Sequence, residues 1–310
     1  MRAAPDPIRR LEASVARALV GKREVIRLAV IGLLARGHLL IEDVPGVGKT
    51  TLAAALARSI GVGFQRIQFT SDMLPSDILG VSVWEPGRSE FVFKPGPLFT
   101  NIVLADEINR ATPKTQSGLL EAMNEAQVSL DHSVHALPRP FMVLATQNPL
   151  EYEGTHPLPE SQIDRFLLRL RVGYPEAADE KAILKAGGAT APDALEPVLG
   201  TADILGLQDM ADRVRADEAV LDYLVTIVGA TRASPLVRLG VSPRGALALL
   251  RAARAQALAD GRDYLVPDDV KTLAVPALAH RVLPRHGGEG GGPDGEGIIR
   301  AICESIPVPR

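Results

Sequence analysis

Gly46 and Gly48, followed directly by Lys49, Thr50 and Thr51, are the residues of this chain best suited to chemistry. Glycines let a backbone wrap closely around a polyphosphate, so that its N–H groups can donate to it. Leu39, Leu40 and Ile41 precede them as a short apolar run fit for a buried strand, and Leu52 to Ala57 follow as a helix-forming run. A helix opening there adds the positive end of its dipole to the cradle. In such a loop Lys49 would reach the β- and γ-phosphates, and the Thr50 hydroxyl would hold Mg²⁺. The cradle is expected to comprise Asp43, Val44, Pro45, Gly46, Val47, Gly48, Lys49, Thr50 and Thr51. One position departs from the usual pattern: G-x-x-x-x-G-K-S/T begins with glycine, and here that place is Asp43. The competing reading is an ordinary glycine-rich turn between a strand and a helix.

A second cluster lies downstream. Asn101 to Ala105 form an apolar strand that ends in two carboxylates, Asp106 and Glu107. An acid at the C-terminal end of a buried strand faces the ligand crevice of an α/β sheet. Asp106 is suited to hold the hydration shell of Mg²⁺, and Glu107 to orient and deprotonate an attacking water. In isolation such a pair is common as a solvated strand end; downstream of a phosphate loop it points to phosphoryl chemistry.

These residues need elements to position them. Apolar periodicity predicts two leading helices, marked by Ile8, Leu11, Val15 and Leu19, then by Val25, Ile26, Ala29, Val30, Leu33 and Leu34. Strands are predicted at 38–42, 64–69, 101–105, 140–146 and 167–172, with helices at 49–60, 113–125 and 159–165. Strands alternating with helices imply a mainly parallel sheet covered on both faces. After Tyr174-Pro175 the strand signal disappears, and 176–186, 202–215, 217–231, 243–260 and 267–282 all read as helices. Ser242-Pro243 is a helix start, with serine at the N-cap and proline in the first turn. The expected organisation is an α/β domain over 1–174, a helical domain over 175–286, a flexible glycine-rich linker over 287–297, and a tail over 298–310 that docks back as a short helix.

Composition narrows the class. With 310 residues, 46% of them hydrophobic and only 4% aromatic, the core must be mostly Leu, Val, Ile and Ala. A net charge of −3 argues against a chain built mainly to coat nucleic acid. A lone cysteine, Cys303, excludes an intramolecular disulfide framework and suits a reducing compartment. The start of the chain lacks a continuous apolar stretch, and no run reaches 18 apolar residues. A soluble, cytoplasmic protein is the expectation.

Taken as an ordered set, these motifs resemble the MoxR family of AAA+ ATPases, of the helix-2-insert type. The stretches VLADEINRATPKTQSGLLEAMNEAQVSL, VLATQNPLEYEGTHPLPESQIDRFLLRL and SPRGALALLRAARAQAL carry the resemblance, which runs from about residue 8 to 284. It implies a P-loop AAA+ core followed by an all-α lid, with ATP and Mg²⁺ as ligands. Asn148 matches the family's sensor 1, which hydrogen-bonds the γ-phosphate or the attacking water. Arg165, in Asp164-Arg165-Phe166, matches the arginine finger that enters a neighbouring subunit's site. Arg244, in Ser242-Pro243-Arg244, matches sensor 2 at the start of a lid helix. The segment around Gly21, Lys22 and Arg23 is expected near the adenine. The implied assembly is a ring, commonly a hexamer. The implied role is chaperone-like remodelling or maturation of protein complexes, often with von Willebrand factor A-domain partners.

Residues 81–94, with Pro86-Gly87 at their centre, and 127–137 read as hairpins. In the family such hairpins face the ring pore or a client, and Trp84 and Phe91 could contact a partner, although aromatics on hairpins more often pack on their own module. His132 and His135 are too few for a zinc site. Two rival functions share this architecture: the ATPase subunit of a metal chelatase, and a nucleic-acid-remodelling motor. A nucleotide-gated scaffold without turnover is a third, opposed by the presence of Lys49, Asp106, Glu107 and Asn148 together.

Overall fold

A computed structural model of the chain describes residues 5–87, 89–130, 133–148, 154–185, 187–285 and 293–309. Its centre is a parallel sheet built from β1 (Leu39–Glu42), β2 (Phe64–Gln68), β5 (Ile102–Asp106), β8 (Met142–Gln147) and β9 (Leu168–Leu170). The strand order is β2-β5-β8-β1-β9. Leu39 pairs with Leu144 on one side and Leu168 on the other, so β1 lies between β8 and β9. The pleat divides the apolar runs between two cores. Leu39, Ile41, Ile102, Leu104, Met142 and Leu144 face one, while Leu40, Val103, Ala105, Val143 and Ala145 face the other. Burial on both faces is why these strands read as continuous rather than alternating apolar runs.

Helices α1 (Pro5–Ala18), α2 (Arg23–Leu34) and α3 (Lys49–Ser59) pack on the first face. Their core runs without interruption into the helical part of the chain, through Leu207, Leu224, Leu249 and Leu273. The second face is covered by α4 (Pro75–Leu79), α5 (Pro113–Glu125) and the short α6 (Glu160–Ile163), around Phe69, Leu119, Leu120 and Phe166. Two hairpins project here: β3 (Gly80–Glu85) with β4 (Glu90–Pro95), and β6 (Gln127–Leu130) with β7 (Ser133–Ala136). Trp84 and Phe91 are cross-strand partners in edge-to-face contact, and both are largely exposed. Phe93 of the first hairpin stacks on His135 of the second at 3.8 Å, so that histidine serves packing between the hairpins. His132 lies outside the described residues.

The helical part consists of α7 (Ala177–Lys185), α8 (Thr201–Asp212), α9 (Glu218–Ala233), α10 (Pro243–Ala259), α11 (Pro267–Leu278) and α12 (Gly295–Ser305). Ser242 caps α10, its hydroxyl accepting from the Gly245 N–H at 3.0 Å. Arg262 closes the turn into α11 with a bidentate pair to buried Asp269, 2.6 Å on each arm. One feature is absent from the sequence reading: β10 (Val237–Leu239) and β11 (Leu283–Pro284) form a small antiparallel ribbon among the helices. Two such short strands, distant in sequence, leave no periodic signal to read.

The glycine-rich stretch also differs from expectation. Residues 286–292 lie outside those described, but α12 already begins at Gly295, inside the segment expected to be linker. Asp294 caps it, accepting from the Gly297 N–H at 2.8 Å, and Ile298, Ile299 and Cys303 are buried. That cap and that apolar face outweigh the entropic cost of two helical glycines, about 1 kcal/mol each. Glu296 then meets Arg169 of β9 at 2.9 Å, and Arg169 also meets Glu42 of β1 at 3.2 Å. The last helix is thereby fastened to the strand that leads into the glycine loop.

Candidate active site

Because the sheet is parallel, the ends of β1, β5 and β8 reach the same edge, and each delivers part of one constellation. A cavity of about 330 Å³ opens there, lined by Pro45, Gly46, Gly48, Lys49, Thr50, Thr51, Arg66, Asp106, Glu107 and Asn148. Gly46 and Gly48 adopt φ of +84° and +99°, a region that glycine enters without steric cost. A Cβ on Gly48 would come within 2.7 Å of the Leu19 side chain, whereas one on Gly46 would meet nothing. Gly48 also precedes α3 without offering a side-chain cap. The first N–H groups of that helix therefore lack the acceptor that serine or aspartate would supply, which favours an anion at this end.

Lys49 is folded back on its own loop, donating to the carbonyls of Asp43 at 2.8 Å and Val44 at 3.2 Å. Asp43, the residue that breaks the usual pattern, has a different task from its neighbours. One carboxylate oxygen accepts from the Val44 N–H at 2.8 Å, the other from the Gly173 N–H at 2.6 Å. It ties the entry of the loop to the segment between β9 and α7. Asp43, Val44 and Val47 do not line the cavity.

At the end of β5, Asp106 is 8% exposed and both its oxygens are engaged. Oδ1 accepts from the Thr146 hydroxyl at 2.6 Å; Oδ2 accepts from Arg66 Nε at 3.0 Å and Nη2 at 2.7 Å. Glu107 follows with φ 58° and ψ 48°, a left-handed conformation uncommon outside glycine. The turn is held by the Glu107 N–H, which donates to the same Thr146 hydroxyl at 2.9 Å. Thr146 thus orients both acids from the neighbouring strand. The Glu107 carboxylate accepts from Gln68 at 2.9 Å and pairs with Arg110 at 3.1 Å. Asn148, just beyond β8, is buried at the cavity wall. The motifs did not reveal Arg66, Gln68 or Thr146. Their signal was faint: Arg66 and Gln68 stand two apart, on one face of a strand whose intervening Ile67 is buried.

Arg165 and Arg244 are placed elsewhere. Neither lines this cavity, and they lie close to each other. Arg165 donates to the Leu120 carbonyl at 2.7 Å, and its pKa is lowered first by burial and then by the charge of Arg244. Arg244 is exposed and makes no hydrogen bond or ion pair with a described residue. The adjoining Asp164 joins the two arms: it accepts from the Ser242 hydroxyl at 2.9 Å and from Arg281 Nε at 2.8 Å. Arg281 also donates to the carbonyls of Asp164, Phe166 and Ala277, and burial lowers its pKa to about 10 against the opposing pull of Asp164.

The donor set fits a nucleotide with a divalent ion. Thr50 and Asp106 supply hard oxygen ligands to one cavity. Among the described residues no group of three or more His, Cys, Asp or Glu could hold a metal ion by itself. A divalent ion here must take its remaining ligands from water and phosphate, the pattern usual for Mg²⁺.

Residues 38–168 match the ATPase family associated with various cellular activities (AAA), and residues 229–302 match the AAA lid domain. The chain is 41% identical to the chaperone MoxR1 of Mycobacterium tuberculosis, over 96% of this chain and 81% of that one. It is 34% identical to the protein MoxR of Methylorubrum extorquens, over 98% and 96%. This chain belongs to the MoxR family of AAA+ ATPases. Another member-like relative, the uncharacterized protein YeaC of Bacillus subtilis, is 51% identical over 94% of this chain and 92% of its own. A crystal structure of a candidate ATPase from Cytophaga hutchinsonii superposes with a TM-score of 0.90 at 34% identity, over 99% of this chain and 96% of that one. The AAA match begins just before β1 and ends on entering β9, so it contains every residue lining the cavity. The lid match takes in α10, α11 and most of α12. Among the described residues no helix is long and apolar enough to cross a membrane.

Proposed function

We propose that this protein hydrolyses Mg²⁺-ATP at the cavity between the β1–α3 loop and the end of β5, and that it works as a ring, by family resemblance a hexamer. The observation that carries the reading is the meeting of Lys49, Thr50, Asp106, Glu107 and Asn148 in one cavity from three adjacent strand ends. Lys49 leaves the two carbonyls that now hold it and donates to the β- and γ-phosphates. The N–H groups at the start of α3 and around Gly46 donate to the phosphate oxygens. Thr50 and Asp106 would hold Mg²⁺, which would supply neutralisation of the phosphate charge. Glu107, fixed in its left-handed turn by Thr146, orients the attacking water and accepts its proton. Asn148 donates its amide to the γ-phosphate or that water.

Arg165 acts in trans, where a finger arginine can be worth about 10³–10⁵ in rate. The separation of Arg165 and Arg244 from their own cavity, and their closeness to each other, support a joint delivery to the neighbouring subunit. The output is movement of the lid against the core, transmitted to a protein client through the exposed Trp84–Phe91 hairpin. A chaperone-like role in maturing protein complexes, with von Willebrand factor A-domain proteins as candidate partners, is the role we propose; the name of the mycobacterial relative supports it. Steady-state phosphate release with purified protein tests the core claim. Glu107→Gln should keep ATP binding and lose most turnover, whereas Lys49→Ala should weaken binding itself. Near-normal turnover by the Glu107 variant would remove Glu107 from the water-activating role.

A further inference from the structure

Arg66 brings to the cavity a cation that neither phosphate motif contains. It approaches from β2 and makes two hydrogen bonds, at 3.0 and 2.7 Å, to Oδ2 of Asp106, while Thr146 occupies Oδ1. The carboxylate assigned above to the divalent ion is therefore already neutralised. A cation drawn to Asp106 would meet the guanidinium within hydrogen-bonding distance of the same oxygen, and like charges at such range repel by several kT even when partly screened. The Arg66 side chain is 49% exposed, on a flexible stem, and lines the same cavity wall as Lys49. It can leave one anion for another without backbone movement. Glu107, the other acid lining this cavity, is engaged by Gln68 and Arg110, and Arg66 Nη2 donates in addition to Gln68 Oε1 at 2.9 Å.

We infer that Arg66 exchanges partners with nucleotide state: it neutralises Asp106 in the free chain, yields that carboxylate to Mg²⁺, and turns to the terminal phosphate of ATP. The inference rests on the proposed Mg²⁺-ATP reading and gives that site a further phosphate-binding residue. Charge balances throughout. The Asp106–Arg66 pair is neutral; on binding, the carboxylate faces the divalent ion and the guanidinium faces a phosphate, so neither is left unpaired. Arg66 thereby joins Lys49 and Asn148 among the groups that can tell ATP from ADP, since only ATP offers a γ-phosphate.

The test uses full-length protein titrated with fluorescent ADP and a fluorescent non-hydrolysable ATP analogue, each in Mg²⁺ and in EDTA. Wild type is compared with Arg66→Gln and Arg66→Lys, with circular dichroism melts confirming that each variant folds. Arg66→Gln should lose about tenfold of the preference for the ATP analogue over ADP in Mg²⁺, the scale of one charge-assisted hydrogen bond. The factor by which Mg²⁺ tightens ADP should rise, because Asp106 has lost its competitor. Arg66→Lys, which keeps a point charge but not the two-armed contact, should fall between. If Arg66→Gln shifts all four affinities equally, or none, Arg66 is a static tie and the inference is wrong while the nucleotide reading stands. Wild-type protein that binds neither nucleotide in any condition would overturn the nucleotide reading and this inference with it.

Discussion

Asp164 accepts a hydrogen bond from the Ser242 hydroxyl at 2.9 Å, linking the residue before Arg165 to the residue that caps the helix bearing Arg244. The core's arginine and the lid's arginine are thus held through one carboxylate, which also faces the nearly buried Arg281. Movement of the lid cannot leave the Arg165 segment untouched. Ser242→Ala removes this bond and the cap of α10, and should cost about 1–2 kcal/mol. Asp164→Ala should cost more, about 3–5 kcal/mol, because it strands the Arg281 charge. Thermal melts check both; an unchanged melting temperature for Asp164→Ala would show that the joint bears nothing.

The trans role of Arg165 is open to a complementation test. Arg165→Ala subunits should bind ATP nearly normally and hydrolyse it poorly, since the missing charge matters chiefly in the transition state. Lys49→Ala subunits fail for the opposite reason. Mixing the two creates interfaces with an intact loop on one side and an intact arginine on the other, so phosphate release should reappear. Failure to recover under demonstrated subunit exchange, with turnover per subunit constant from dilute protein upward, would exclude a finger.

For Asp43 the expected effect is on stability rather than affinity. Asp43→Gly restores the common loop pattern but leaves the Val44 and Gly173 N–H groups without their acceptor. Chemical denaturation should show a loss of about 1–3 kcal/mol. Nucleotide titration should show a change below about tenfold, or roughly 1.4 kcal/mol. A larger affinity loss with unchanged stability would mean that the carboxylate serves the ligand directly.

His38 predicts an acid limb to stability. Its Nδ1 accepts from the Val143 N–H at 3.0 Å, which leaves Nε2 to donate to the Met123 carbonyl at 2.9 Å, so the ring is neutral. Burial is the main cause lowering its pKa from 6.5 to about 4. The unfolded chain therefore binds a proton that the folded chain refuses between those values. Stability is complete above pH 6.5 and declines as pH falls toward 4, by on the order of 3 kcal/mol. Partly buried His280, lowered first by desolvation and then by Arg281, adds to the same limb. Melting curves from pH 8 to 4.5 should flatten in His38→Gln; an identical acid slope would remove His38 as its source.

Much of the fold was legible because its signals are local. A parallel strand buried on both faces must be a short apolar run, and the run at 101–105 became β5 with its acids at the open edge. Ser242-Pro243 marked the start of α10 because capping depends on adjacent residues. The ribbon of β10 and β11 was not legible, since each strand is meaningless without a partner far along the chain. The tail helix was expected from its isoleucines, but the first turn of α12 was hidden by its glycines, whose flexibility in isolation is overruled by an Asp294 cap and a buried isoleucine pair.

Within the site the same division holds. Sequence alone pointed to the glycine loop, the lysine and hydroxyl that follow it, and the paired acids, because spacing and residue type restrict what such groups can bind; Asn148 was added by the family resemblance. Only the tertiary structure decided who neutralises whom. Arg66 reaches Asp106 across adjacent strands, Thr146 orients two acids from a third, and Asp43 spends its charge on Gly173 rather than on a ligand. Arg165 and Arg244, far apart in the chain, are brought together and away from their own cavity. These pairings depend on which strands become neighbours in the sheet and on how the lid packs, and hydrogen bonds and charges act over a few ångströms of space regardless of distance along the chain.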